Sequence, residues 1–278
     1  MGNRSSIKDK QRIVVKIGSS SLTHPKTRAL DYNKMEQLVR FLCDLSHQGK
    51  EVVLVSSGAQ AVGRKEVGYH AIPSQMPKKQ ALAAIGQAKL MMTYQRLFSQ
   101  YSQLTAQILL TKNSFLNPLS YVNADNTFKE LLRMKAIPVV NENDTVATYE
   151  IEFGDNDHLS AFVASMIKAD LLILLSDIDG LYSDDPRINP EAHLIGEVDA
   201  VEQVHMAMAK ETSSSGLGSG GMSAKVDAAR IASNAGADVI IASGDSMDIL
   251  TDIFAGKAVG TFFAAHQDPE YDINDYLT

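Results

Sequence analysis

Leu171-Leu172-Ile173-Leu174-Leu175, closed by Ser176-Asp177, is the stretch on which the fold turns. Five apolar residues in a row leave no face for water, so a strand here is covered on both sides, as in a parallel sheet between layers of helices. Val239-Ile240-Ile241 repeats the pattern downstream. Upstream, short β-branched runs over Arg12–Ile17, Glu51–Val55, Ala106–Thr111 and Ile137–Val140 alternate with helical patterns. The helix at Asn33–Gln48 puts Met35, Leu38, Val39, Leu42 and Leu45 on one face and stops at Gly49. Further helices are expected over Lys78–Tyr101, Asn123–Lys135, Asp157–Lys168, Ala200–Glu211, Met222–Asn234 and Ser246–Phe254, with a last strand at Val259–Phe263. A β-excursion is expected at Glu150–Phe153 and a Pro-containing loop at Asp184–Leu194. The pattern predicts an α/β fold with a largely parallel sheet. It is read as one domain over residues 1–266, followed by an acidic tail at 267–278, expected to be solvated and mobile.

The 278 residues suffice for a full hydrophobic core. Composition is 45% hydrophobic and 21% charged, which excludes a disordered or collagen-like chain. A net charge of −7 argues against a nucleic-acid binder. The single cysteine, Cys43, can form neither an internal disulfide nor a zinc site alone, and so points to a reducing compartment, the cytoplasm. No apolar run approaches a membrane span of roughly 18 residues. Met1-Gly2-Asn3-Arg4-Ser5-Ser6 satisfies the loose N-myristoylation pattern, but reads as a polar lead-in to the first strand.

Ligands of open parallel sheets bind beyond the carboxyl ends of the strands. Several strands here end alike: Lys16-Ile17-Gly18-Ser19-Ser20, Ser56-Ser57-Gly58, Asn141-Glu142-Asn143-Asp144 and Ser176-Asp177. Small residues let backbone N–H groups approach an anion. One such turn means little, but several, one with a lysine just before it, argue for an anionic ligand. The densest glycine segment, Gly216 to Lys225, contains G-x-G-x-x-G but follows a polar loop rather than a strand, so the dinucleotide reading fails. A Walker A loop fails as well, because Met222 follows Gly221. What remains is a glycine loop that opens a helix with Lys225 one turn in; a phosphate clamp and a surface hinge are equal readings of it. Gly154-Asp155-Asn156-Asp157 is either a functional carboxylate cluster or the cap of the helix that follows. It does not complete a calcium loop, the histidines form no i,i+4 pair, and no G-x-S-x-G elbow occurs.

Taken together and in this order, the segments VVKIGSSSL (14–22), SSGAQAVG (56–63), QALAAIGQ (80–87), PVVNENDTVAT (138–148), FGDNDHLSA (153–161), SDIDGLYSDDPRINP (176–190) and GLGSGGMSAKVDAA (216–229) resemble the amino acid kinase family. NENDTVAT, GDNDHLSA and GLGSGGMSAK narrow the resemblance to the branch whose acceptor is L-glutamate. The resemblance implies an αβα sandwich and phosphoryl transfer from ATP, with Mg2+, to the γ-carboxylate of L-glutamate. That reaction opens proline synthesis and is inhibited by L-proline. It implies that Lys16 and Lys225 flank the phosphates, that Asp157 orients them, and that N–H groups near Gly18 and Ser19 hold the phosphoryl group. Ser176, Asp177 and the loop Ser219, Gly220, Gly221, Met222, Ser223, Ala224 and Lys225 would bind ATP. Ser176 stands where the family usually has Thr, with the hydroxyl kept. Ser57, Gly58, Asp144 and Asn156 would bind the amino acid, with no metal held by protein side chains alone. A homo-oligomer is expected, with neither nucleic acid nor membrane as partner. Many members carry a C-terminal PUA domain, where here the acidic tail follows. The competing readings are an acetylglutamate, aspartate or carbamate kinase, a non-catalytic sensor of ATP or proline, and, weakest, an RNA binder.

Overall fold

The computed structural model describes all residues except 1–3, 25–26, 28, 70, 148–154, 212–220 and 278. Its strands are β1 (Arg12–Ile17), β2 (Glu51–Ser56), β3 (Thr105–Leu110), β4 (Ile137–Glu142), β5 (Leu171–Ser176), β6 (Glu197–Val198), β7 (Asp238–Ser243) and β8 (Thr261–Phe263). They form a mostly parallel sheet in the order β3-β4-β2-β1-β5-β7-β8-β6, flanked by helices. The exceptions are β8, which runs antiparallel to β7, and β6, which runs parallel to β8. In chain order the helices are α1 (Ser19–Leu22), α2 (Tyr32–His47), α3 (Ala59–Glu66), α4 (Met76–Gln100) and α5 (Asn113–Leu116). They continue with α6 (Pro118–Arg133), α7 (Asn156–Met166), α8 (Gln203–Glu211), α9 (Met222–Asn234) and α10 (Asp248–Phe254). Among the described residues, no helix is long and apolar enough to cross a membrane. The chain folds as two compact units, a middle unit of Ile17–Phe153 and a C-terminal unit of Met1–Lys16 with Gly154–Thr278.

The C-terminal unit is built on the apolar runs. Every residue of β5 is buried, and its register to β7 runs from Leu171 opposite Asp238 to Ser176 opposite Ser243. The amide of Asp170 donates to the Arg12 carbonyl, and that of Asp238 to the Asp170 carbonyl, so β1, β5 and β7 start at one edge. Their carboxyl ends, Lys16, Ser176 and Ser243, therefore lie at the other. Helix α7 is apolar nearly all round, with Leu159, Phe162, Val163 and Met166 buried, because it packs on both β5 and α9. The acidic tail departs from its sequence expectation. Glu270, Asp272 and Asp275 are exposed and Asp268 half-buried, but Leu277 is buried, the Tyr271 hydroxyl donates to Ser165 of α7, and the Tyr276 hydroxyl accepts from Asn234 of α9. Two tyrosines and a leucine supply the apolar grip that a reading by charge alone passed over.

In the middle unit, β2 pairs with β4 and β4 with β3, all parallel. Asp31 caps α2 by accepting the Lys34 amide, and Asn117 caps α6 with Pro118 next in line. Helices α3 and α4 touch backbone to backbone: a Cβ added at Gly86 would fall 1.8 Å from the Ala59 carbonyl oxygen. Cys43 is buried in α2, where burial and then Asp44 push its thiol up to about 12. The expected strand at Glu150–Phe153 lies outside the described residues.

Candidate active site

At the carboxyl edge of the C-terminal unit, three charged side chains meet out of water. Lys16, the fifth residue of β1, is 5% exposed, Asp157 in the first turn of α7 is 1% exposed, and Lys225 in the first turn of α9 is 4% exposed. Lys16 Nζ lies 2.5 Å from Asp157 Oδ1, and Lys225 Nζ 3.1 Å from Oδ2. Each carboxylate oxygen thus serves one ammonium group. Burial by itself would push the Asp157 carboxyl up; the coulombic pull and hydrogen bonds of Lys16 and Lys225 win, and hold it below the usual carboxylate range. Two cations and one anion leave the trio with a net charge of +1 in a dry setting. Two ammonium groups held close together out of water favour an anionic ligand between or beside them.

The local sequence explains the placement. Asp155 precedes α7 in extended conformation and caps it, its Oδ1 accepting the amides of Asp157 and His158 at 2.9 and 3.0 Å. That cap fixes the turn from which Asp157 projects, and Asn156 opens the same helix. Gly221 caps α9 without a side-chain hydrogen bond, and the helix start carries a partial positive charge. Met222 is buried beneath it, and Ser223 and Ala224 are half-buried. Ser176 closes β5; its Oγ donates to Asp177 Oδ1 at 3.1 Å, leaving Asp177 exposed. Ser219 and Gly220 lie outside the described residues.

The middle unit gathers a second set. Gly18 precedes α1, and the Ser57 amide donates to the Ile17 carbonyl at 3.1 Å. Gly58 turns the chain into α3 at φ +106°, a conformation that glycine alone adopts without strain, and a Cβ there would sit 3.7 Å from that of Ser19. Gly18, Ser19, Ser57 and Gly58 are therefore neighbours. Asp144, in the turn after β4, accepts from Gln60 Nε2 of α3 at 3.3 Å, which ties it to the helix that Gly58 opens.

Several supporting residues escaped the sequence reading. Tyr94 is fully buried, with its hydroxyl 2.9 Å from Ser56 Oγ, and so braces the end of β2 from α4; burial raises its pKa, and the Ser56 bond offsets part of the rise. Gln87 accepts from Asn141, and Gln80 donates to the Ala147 carbonyl. Two glutamines seven apart on one helix were the available signal. His158 and Asp227 were also passed over; they join α7 to α9.

The sequence matches the amino acid kinase family over residues 11–243. It is 47% identical over 259 residues to the glutamate 5-kinase of Clostridium tetani, covering 93% of this chain and 96% of that one. To the glutamate 5-kinase of Carboxydothermus hydrogenoformans it is 48% identical over 260 residues, covering 94% and 69%. Among solved structures it resembles UMP kinase from Bacillus anthracis, with a TM-score of 0.62 at 13% identity over 92% of this chain and 96% of that one. Carbamate kinase from Giardia lamblia bound to AMP-PNP gives 0.63 at 15%, over 94% and 100%. These two likenesses establish the fold. With the relatives at nearly half identity over almost its whole length, the chain belongs to the amino acid kinase family, on its glutamate 5-kinase branch.

Proposed function

We propose that this kinase transfers the γ-phosphoryl group of ATP to the γ-carboxylate of L-glutamate. The observation that carries the reading is the buried Lys16–Asp157–Lys225 trio, with its net positive charge. The acceptor carboxylate is already ionised at neutral pH, so no general base is needed. The chemistry reduces to holding two anions together and neutralising charge on the phosphoryl group in flight. Lys16, on a central strand, and Lys225, on a helix start, supply two fixed cations. Asp157 keeps the two ammonium groups from repelling each other apart.

In this reading Ser176, Asp177 and Gly221 to Lys225 bind ATP, together with Ser219 and Gly220, which precede them in sequence. Backbone N–H groups at Gly18 and Ser19 serve the transferred phosphoryl group. Asp144 takes the α-ammonium of glutamate, while Ser57, Gly58 and Asn156 donate to its carboxylates. Among the described residues, no three His, Cys, Asp or Glu side chains gather in a metal-holding group. Mg2+ bound with the nucleotide would supply charge neutralisation at its phosphates. In this reading the reaction is the first of proline synthesis, and L-proline inhibits it.

A coupled ADP-release assay with L-glutamate, L-aspartate, N-acetyl-L-glutamate and carbamate tests the proposal. ADP release that depends on L-glutamate supports it. Release only with another acceptor, or with none, overturns it.

A further inference from the structure

Beside the lysine trio, a second charged constellation joins the same two helices. His158 follows Asp157 directly on α7, and Asp227 lies two residues beyond Lys225 on α9. The imidazole Nδ1 is 2.9 Å from Asp155 Oδ2, and Nε2 is 3.0 Å from Asp227 Oδ2. A carboxylate oxygen only accepts, so both ring nitrogens donate when both bonds are made, and the ring is then a cation. Burial works against that charge, but the two carboxylates overcome it and raise the His158 pKa to about 10.

The other partners of these groups are fully used. Asp155 Oδ1 caps α7, and Asp227 Oδ1 accepts from Arg230 Nε and Nη2 at 3.0 and 2.7 Å. The Arg230 guanidinium in turn lies 5.0 Å from the Tyr276 ring centroid, and Tyr276 stacks on Tyr271. Two carboxylates, one imidazolium and one guanidinium sum to zero, so this cluster needs no outside ion. It differs in that from the trio next to it.

We propose that His158 is a positioning residue of the phosphoryl-transfer site: its imidazolium clasps the cap of α7 to the first turns of α9 and so fixes Lys225 against Asp157. The clasp grips each helix within two residues of the charged group that helix presents. A shift of α9 moves Lys225 relative to Asp157, and displacements of about 1 Å at such a site cost up to ~10²-fold in rate. This inference rests on the kinase reading above but does not depend on which acceptor is used.

The test uses the full chain at a temperature held well below the measured melting transition of each protein, with variants His158→Gln, Asp227→Asn and both together. Glutamine is neutral and presents one donor nitrogen and one acceptor oxygen, so it cannot serve both carboxylates as the imidazolium does. We expect kcat to fall about tenfold or more in each single variant, between no effect and the ~10²-fold limit of a misplaced group. Glutamate KM should stay within about twofold, and the double variant should be no slower than the slower single one. A His158→Gln protein whose Tm falls while kcat stays within about twofold of the parent overturns the proposal, as do two losses that multiply. Should His158→Gln fail to fold, Asp227→Asn decides by the same kcat criterion. If the unsubstituted protein acts on another acceptor of the panel and not on glutamate, the same ratios are taken with that acceptor. The glutamate reading and the clasp therefore fail separately.

Discussion

Lys225 and Asp157 are buried together, but their substitutions should fail differently. Lys225 stands one turn into α9 behind a glycine cap, where a cation can follow charge as it develops on a phosphate. Lys225→Ala is expected to lower kcat by about 10²-fold or more, the scale of one lost preorganised charge contact. Steady-state kinetics check this; a normal kcat with only a raised ATP KM contradicts it. Asp157 acts on stability as well. Asp157→Asn leaves two buried ammonium groups without their anion, a loss of about 3–5 kcal/mol at pH 7. The pH dependence has a definite sign. Because the native carboxyl titrates below its unfolded value of about 3.9, the unfolded chain binds the proton first. The stability that Asp157 contributes is thus complete above that value and is lost as pH falls through the lower native one. Urea midpoints of parent and variant should converge as pH drops below about 4. A gap that stays constant from pH 7 to pH 3 refutes the assignment. His158 shows what one sequence withholds at this scale. Lys16 and Lys225 stand out beside glycine turns, and Asp157 at a helix start. The meaning of His158, by contrast, depends on Asp227, 69 residues away, and only the packing of α7 on α9 brings the two together.

Helix α3 owes its place to a contact made without side chains. A Cβ at position 86 would meet the Ala59 carbonyl oxygen at 1.8 Å and the Gly63 nitrogen at 2.5 Å, so Gly86→Ala must push α3 off α4. Overpacking against backbone that cannot rotate away should cost about 3 kcal/mol. The same shift carries Gln60 away from Asp144, so glutamate KM should rise while ATP KM holds. An unchanged urea midpoint contradicts the packing argument, and equal damage to both KM values contradicts the division of labour. This helix was also the main omission of the sequence reading. Ala59–Glu66 is short, contains Gly63 and follows Ser-Ser-Gly, so nothing in its periodicity outweighs the signature of a turn; its stability is tertiary. Clear patterns were legible: the periodic α9 spans Met222–Asn234 and the short β-branched β1 Arg12–Ile17, both as the pattern predicts. For α6 the apolar spacing suggests a start at Asn123, whereas Asn117 and Pro118 start it five residues earlier. There the cap was the better guide than the apolar face. The two-residue β6 and the four-residue α1 carry too little sequence to show any period.

At the scale of the whole molecule, the proposed inhibition sets a small zwitterion against an acidic protein of net charge −7 that holds a buried cationic trio. Proline has glutamate's α-carboxylate and a charged α-nitrogen but lacks the γ-carboxylate. Groups that hold the α-end of one ligand, Asp144 and Ser57 in our assignment, can hold the other. Proline would then fill the amino acid site without offering an acceptor. Overlap makes a sharp prediction: L-proline raises the apparent glutamate KM, leaves Vmax at saturating glutamate, and is displaced by glutamate in equal measure, since the linkage is reciprocal. ATP KM should hold, because Ser176, Asp177 and Gly221 to Lys225, the groups proposed for the nucleotide, belong to the C-terminal unit while Ser57 and Asp144 belong to the middle one. Asp144→Ala should weaken both amino acids together. Gln80 holds the Ala147 carbonyl at 3.0 Å, at the start of the segment between Asp144 and Asn156. Gln80→Ala should therefore alter proline sensitivity more than ATP affinity. The deciding measurement is a glutamate titration at several proline concentrations with ATP saturating. Inhibition that lowers Vmax and leaves the glutamate dependence unchanged excludes a shared site, and would require proline to act through groups other than Asp144 and Ser57.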